Sequence, residues 1–169
     1  MNKPLRIFLL GFMGSGKTHW AKIWAQKYNL AGYDLDDIIE QKENLSINEI
    51  FNQKGEPYFR EEEAKALRTF AFEKNFILAC GGGTPCYLHN LDWMKVHGIT
   101  IYLKTSPATI AERLIKHPGN RPLLQALDPV QIMDYAAEKI KERETYYLES
   151  TLVLTEDKIN SESLSMAGL

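Results

Sequence analysis

The stretch Gly11-Phe12-Met13-Gly14-Ser15-Gly16-Lys17-Thr18 constrains this chain more than any other. It fits G-x-x-x-x-G-K-[ST], a pattern that carries structural meaning when a strand precedes it and a helix follows. Both flanks are present. Arg6 to Leu10 is a short apolar run suited to a buried parallel strand, and Trp20, Ile23, Trp24 and Tyr28 recur at helical spacing. Gly11, Gly14 and Gly16 permit backbone conformations that turn successive N–H groups toward a phosphate. The helix that starts near Lys17 adds its positive end. Lys17 is then placed for the β- and γ-phosphates and the Thr18 hydroxyl for Mg²⁺. Gly14, Ser15, Gly16, Lys17 and Thr18 are therefore the candidate nucleotide-binding residues.

What surrounds this stretch narrows the class. The chain has 169 residues, enough for one domain with a sizeable core. Its net charge of −2 supplies no basic excess for nucleic acid or an anionic membrane surface. The apolar runs are too short to span a bilayer, and the N-terminus has no secretory pattern. Cys80 and Cys86 have neither metal-type spacing nor a second pair, so both are expected as reduced thiols in a cytoplasmic protein. His19, His89, His97 and His117 have no ligand-like spacing and are expected on the surface or in packing roles.

Strands alternating with helices after the glycine loop predict a three-layer α/β/α fold. Ala31 to Asp36 predicts a second strand running into carboxylates. Alternation along it would put Asp34 and Asp36 on one side, near the phosphate loop, for magnesium and substrate. Asp36 or Asp37 could equally cap the helix that follows. Ser46-Ile47-Asn48-Glu49 is a capping box opening a short helix. Gly55-Glu56-Pro57 ends that helix and begins another, running to about Lys74.

On that second helix Arg60 shares a face with Ala64, Leu67 and Ala71, an unusual place for a charge. It either binds an anionic ligand or is neutralised by Glu63, and the two are compatible. The third strand, Phe76 to Cys80, ends in Gly81-Gly82-Gly83, where a ligand could approach the backbone. A fourth strand is predicted at 99–103, and Ser106-Pro107 opens the next helix. His117 to Leu124 breaks the helical pattern and puts Arg121 on a loop able to close over transferring phosphate. Asp128-Pro129 caps a helix to about Leu148 that carries Arg143 on its inward stripe. A fifth strand is predicted at 151–154, and after it a weakly patterned tail from Glu156 to Leu169, a loop with a short or frayed final helix.

Five features in this order resemble the shikimate kinases, a small group of nucleoside-monophosphate-kinase-like enzymes. They are Gly11 to Thr18, Tyr33-Asp34-Leu35-Asp36, Gly55-Glu56-Pro57-Tyr58-Phe59-Arg60, Gly81-Gly82-Gly83 and Arg121-Pro122-Leu123-Leu124. The resemblance runs from about Arg6 to Leu154. It implies a phosphate-loop NTPase fold with a five-stranded parallel sheet of order 2-3-1-4-5. One kinase domain would fill 1–169, with a substrate-binding region at about 34–62 and a lid at about 115–126. It implies transfer of the ATP γ-phosphate to the 3-hydroxyl of shikimate, with Mg²⁺, by a monomer.

By resemblance, Thr18 and Asp34 serve the metal, and Lys17, Asp36 and Arg121 are catalytic. Asp36, Arg60, Gly81, Gly82, Gly83 and Arg143 hold the substrate, and Arg121 also contacts the ATP phosphates. The family usually has proline two residues after its late arginine, where this chain has Thr145. The alternatives are a kinase of another small hydroxy acid such as gluconate, or a non-catalytic nucleotide-binding module. A GTPase switch is disfavoured because Asn-Lys-x-Asp is absent.

Overall fold

The strand after the N-terminus becomes the centre of the molecule because both of its faces are apolar. In the computed structural model, which describes residues 4–117, 119, 124 and 126–169, β1 (Arg6–Leu10) lies between β3 (Phe76–Ala79) and β4 (Ile99–Lys104). Both pairings are parallel. Phe8 and Leu10 pack into one core cluster with Phe76 and Leu78, whereas Ile7 and Leu9 pack into another with Ile77 and Ile101. Residue alternation thus feeds two cores on opposite faces, as an all-parallel sheet covered by helices requires. The edges are β2 (Ala31–Asp34) and β5 (Leu152–Thr155), giving the order β2-β3-β1-β4-β5. This is the sheet that the sequence leads one to expect.

The helices are α1 (Lys17–Tyr28), α2 (Leu35–Glu43), α3 (Ile47–Thr69), α4 (Asn90–His97), α5 (Pro107–Lys116), α6 (Pro129–Leu148) and the short α7 (Ser163–Met166). A third apolar cluster joins Phe12 of the phosphate loop to Ile110 and Leu114 on α5 and to Ile132 and Ala136 on α6. The loop is therefore seated on the α5–α6 pair and not only on the sheet. The Asp128 capping box is formed with Gln131, and α6 continues through Thr145 without a break.

Three local expectations change. The second strand stops at Asp34, whose side chain accepts from the Asp36 amide and caps α2, so the cap is neither Asp36 nor Asp37. The expected pair of helices around Gly55 follow each other directly as α3, with the kink confined to Gly55 at φ 83°, ψ 166°. The second of them ends at Thr69, where a 3-10 turn begins, and not at Lys74. The final helix is short, as expected, and the segment that carries it is anchored. Trp24 Nε1 donates to the Asn160 carbonyl at 2.9 Å and Tyr28 donates to that of Ser161 at 3.0 Å. Lys27 pairs with Glu162, and Leu164 is fully buried, so the tail straps the outer face of α1.

The start of β4 depends on a missing side chain. A β-carbon at Gly98 would lie 2.5 Å from the Arg6 carbonyl oxygen and 2.8 Å from Phe8 Cε2. Its φ of −174° is ordinary extended backbone, so the constraint is space alone. Gly98→Ala should cost about 1–3 kcal/mol by forcing β4 away from β1, lowering the melting temperature by several degrees. An unchanged melting temperature would contradict this packing.

Candidate active site

The phosphate loop leaves β1 at Gly11, where a side chain would be strained at φ 143° and would meet Ser15 Oγ at 2.8 Å. It enters α1 through Gly16, the N-cap residue, in the left-handed region at φ 92°. These conformations wrap the backbone around a concavity at the start of a helix. Lys17 folds back across it, with Nζ donating to the Gly11 and Phe12 carbonyls at 2.8 and 2.9 Å. Ser15 is buried beneath, its Oγ without a hydrogen-bond partner among the described residues.

Two carboxylates arrive from the end of β2. Thr18 Oγ1 donates to Asp34 Oδ2 at 2.6 Å, so a hydroxyl and a carboxylate from separate elements already meet beside the loop. This all-oxygen pair suits Mg²⁺, which keeps several waters and takes further oxygens from substrate phosphates. Asp36 stands two residues on, in the first turn of α2. Burial chiefly, then Asp34 and Glu63, push its carboxyl up to about 7, against the pull of Lys17. An acid poised near neutrality can both hold and release a proton.

The turn after β3 brings the opposite charges in. A β-carbon at Gly81 would lie 3.0 Å from Glu63 Oε1 and 3.2 Å from Asp36 Oδ1. At Gly82 it would lie 3.4 Å from Arg143 Nη1, and at Gly83 only 2.6 Å from Arg60 Nη2. Each glycine therefore faces a different charged group, and the two guanidinium groups flank consecutive residues. Arg60 on α3 and Arg143 on α6 thus come to neighbouring glycines.

Arg60 is held firmly. Nη1 donates to Glu63 at 3.0 Å, while Nε and Nη2 donate to Glu56 at 3.1 and 3.0 Å. Its guanidinium also lies 4.2 Å from the Tyr87 ring centroid. Glu63 is fully buried and accepts from Thr84 Oγ1 at 2.6 Å, so its charge is compensated on both oxygens. The two options for Arg60 were compatible in sequence, and the neutralising partner Glu63 is in place.

A cleft of about 660 Å³ connects the phosphate loop to Asp34, Asp36, Gly81 and Gly82. Arg60, Gly83 and Arg143 are not among its walls and stand beyond its Gly82 edge. Arg121 lies outside the described residues, as does half of the expected lid at 115–126. His19 and His117, expected in bland positions, line the cleft with Trp20 and Arg113. Arg113 Nη1 donates to the Gly14 carbonyl at 2.9 Å. Its position in the last turn of α5 gave no sign of this, because the contact crosses 99 residues. Glu156 was equally silent: it accepts from the Ser106 amide at 2.6 Å and joins the turn after β5 to the start of α5. The two cysteines are free, and no helix among the described residues is long and apolar enough to cross a membrane.

Comparison with known proteins agrees with this geometry. The family model described as shikimate kinase matches residues 13–167. A shikimate kinase of Flavobacterium psychrophilum is 41% identical over 144 residues, covering 84% of each chain. One of Azobacteroides pseudotrichonymphae is 38% identical over 149 residues, covering 88% of each. The crystal structure of shikimate kinase from Bacteroides thetaiotaomicron superposes with a TM-score of 0.93 at 30% identity, covering 99% of this chain and 100% of that one. Shikimate kinase from Acinetobacter baumannii, solved in complex with shikimate, gives 0.85 at 30% identity over 98% and 90% of the two chains. The chain belongs to the shikimate kinase family, ATP-dependent phosphotransferases, on a match that spans its phosphate loop and both arginine-bearing helices.

Proposed function

We propose that this protein transfers the γ-phosphate of ATP to the 3-hydroxyl of shikimate, within a single domain whose acceptor region spans about 34–62. The observation that carries the reading is the glycine turn. It meets Asp36 at Gly81 and the two guanidinium groups at Gly82 and Gly83, a carboxylate and two cations for a small hydroxy acid. In this reading a monomer acts in the cytoplasm, with all site residues drawn from one chain.

Lys17 leaves the loop carbonyls to meet the β- and γ-phosphates, while the loop amides bind phosphate oxygens. Thr18 and Asp34 would hold Mg²⁺, which when bound neutralises charge on the phosphates. Arg60 and Arg143 grip the acceptor carboxylate and thereby turn its ring hydroxyl toward Asp36. Asp36 accepts the hydroxyl proton as the oxygen attacks phosphorus in line with the departing ADP. Arg121 is assigned to the phosphates by family resemblance. A coupled assay of ADP release with shikimate, gluconate or no acceptor tests the reading. Release should require shikimate. Turnover with gluconate would favour the other hydroxy-acid kinases, and none with either would favour a binding module.

Asp36 yields a second test, because a group tuned for proton transfer is badly placed for stability. Its carboxyl rises from 3.8 to about 7 on folding, so the native state binds the proton more tightly than the unfolded chain. The stability that this protonation supplies is complete below about pH 4 and is lost as pH rises toward 7. The difference is on the order of a few kcal/mol. In ligand-free, EDTA-treated protein, Asp36→Asn should therefore raise the melting temperature at pH 8 and change it little at pH 4. The same variant should lose about 10²–10⁴ in kcat. A variant that is active, or no more stable at pH 8, would remove Asp36 from this role.

A further inference from the structure

The phosphoryl-transfer reading leaves one buried polar group at the site unused. Tyr147 is fully buried at the end of α6, one turn beyond Arg143, so the two side chains project from the same part of the helix. Its hydroxyl donates to the Gly82 carbonyl oxygen, across 65 residues of sequence. On its other side the ring stacks against Tyr102 of β4, centroids 4.9 Å apart. The Arg143 guanidinium is an electrostatic neighbour of the same phenol. Gly82 also lies against Arg143, since a β-carbon there would stand 3.4 Å from Nη1. Arg143, Tyr147 and Gly82 thus close a small ring of contacts between α6 and the glycine turn.

We propose that Tyr147 is a positioning residue, a clamp that holds the Gly82 carbonyl against α6 and so keeps the glycine turn and the Arg143 guanidinium in fixed relation. The turn needs such a clamp. Three successive glycines have the widest backbone freedom of any residues, and among the described residues only Thr84 and Cys86 close hydrogen-bonded turns within it, to the Gly81 and Gly83 carbonyls. The middle carbonyl is left to Tyr147. Burial pushes the phenol above its ordinary range, so it stays a donor at neutral pH. The unbroken helix through Thr145 fixes the register between Arg143 and Tyr147, since i and i+4 share a face only on continuous helix.

The clamp itself is independent of the kinase reading, while its effect on shikimate rests on that reading, so two measurements are needed. Tyr147→Phe keeps the ring and its stack on Tyr102 and removes only the hydroxyl. In ligand-free protein, hydrogen–deuterium exchange over residues 81–86 should quicken about tenfold, with β1 and α1 unchanged. Tyr102→Phe, which touches the same stack, should leave that segment as in wild type. In steady-state kinetics, Tyr147→Phe should lower kcat/KM for shikimate by about five- to a hundredfold and hold KM for MgATP within about twofold. Unaltered exchange at 81–86 would overturn the clamp. A parallel rise in both KM values would show that the phenol only supports the core, and would overturn its positioning role. If wild type released no ADP with shikimate, the kinase reading would fail and the exchange experiment alone would decide the clamp.

Discussion

The candidate site depends on bare backbone where charged groups crowd the glycine turn, above all at Gly81 and Gly83. Gly81, Gly82 and Gly83 are pressed against Glu63 and Asp36, Arg143, and Arg60 in turn, and a side chain at Gly83 would sit 2.6 Å from a guanidinium nitrogen. Charged groups from α2, α3 and α6 can approach one point only because the turn between them is bare backbone. The central sheet puts that turn where it is needed. β3 pairs with both β1 and β2, so its end stands between the phosphate loop and the carboxylates that leave the edge strand. Brought together this way, nucleotide phosphates and an acceptor would meet at the carboxyl ends of the strands.

Gathering these charges has a cost that the surrounding residues distribute. At Asp36, burial first and then the charges of Asp34 and Glu63 raise the carboxyl, and Lys17 opposes them. Glu63 is engaged at both oxygens, by Arg60 and by Thr84. Arg60 is also engaged by Glu56, whose side chain is about half exposed. An incoming carboxylate therefore meets a guanidinium already oriented by one buried partner and by a second that is half exposed. Such preorganisation lowers the entropy lost on binding.

Much of this was legible in the chain because its signals are local. A glycine pattern between an apolar run and a helical period gives the phosphate loop, and alternating apolar segments give the five strands. Arg60 and Arg143 stood out because charge on an apolar stripe violates the ordinary pattern. What escaped was set by tertiary contact. The second strand was read two residues too long because Asp34 turns out to cap α2, a role that Asp36 or Asp37 fills equally well by propensity. The anchoring of the tail was not legible because its acceptors are backbone carbonyls, which have no sequence signature. Arg113 and Glu156 reach their partners across long separations, and nothing local distinguishes them from solvated charges.

Convergence of Arg60 and Arg143 on a single carboxylate is the central claim, and comparing shikimate with its neutral carboxamide tests it most directly. A charge-assisted hydrogen bond contributes about 1.5–3 kcal/mol, so calorimetric titration of wild type should show the amide binding roughly ten- to a hundredfold more weakly. In Arg60→Ala and in Arg143→Ala that penalty should shrink clearly, since the charge has already lost one of its two forks. Equal affinity of wild type for acid and amide would contradict the account and leave both arginines with a purely structural role.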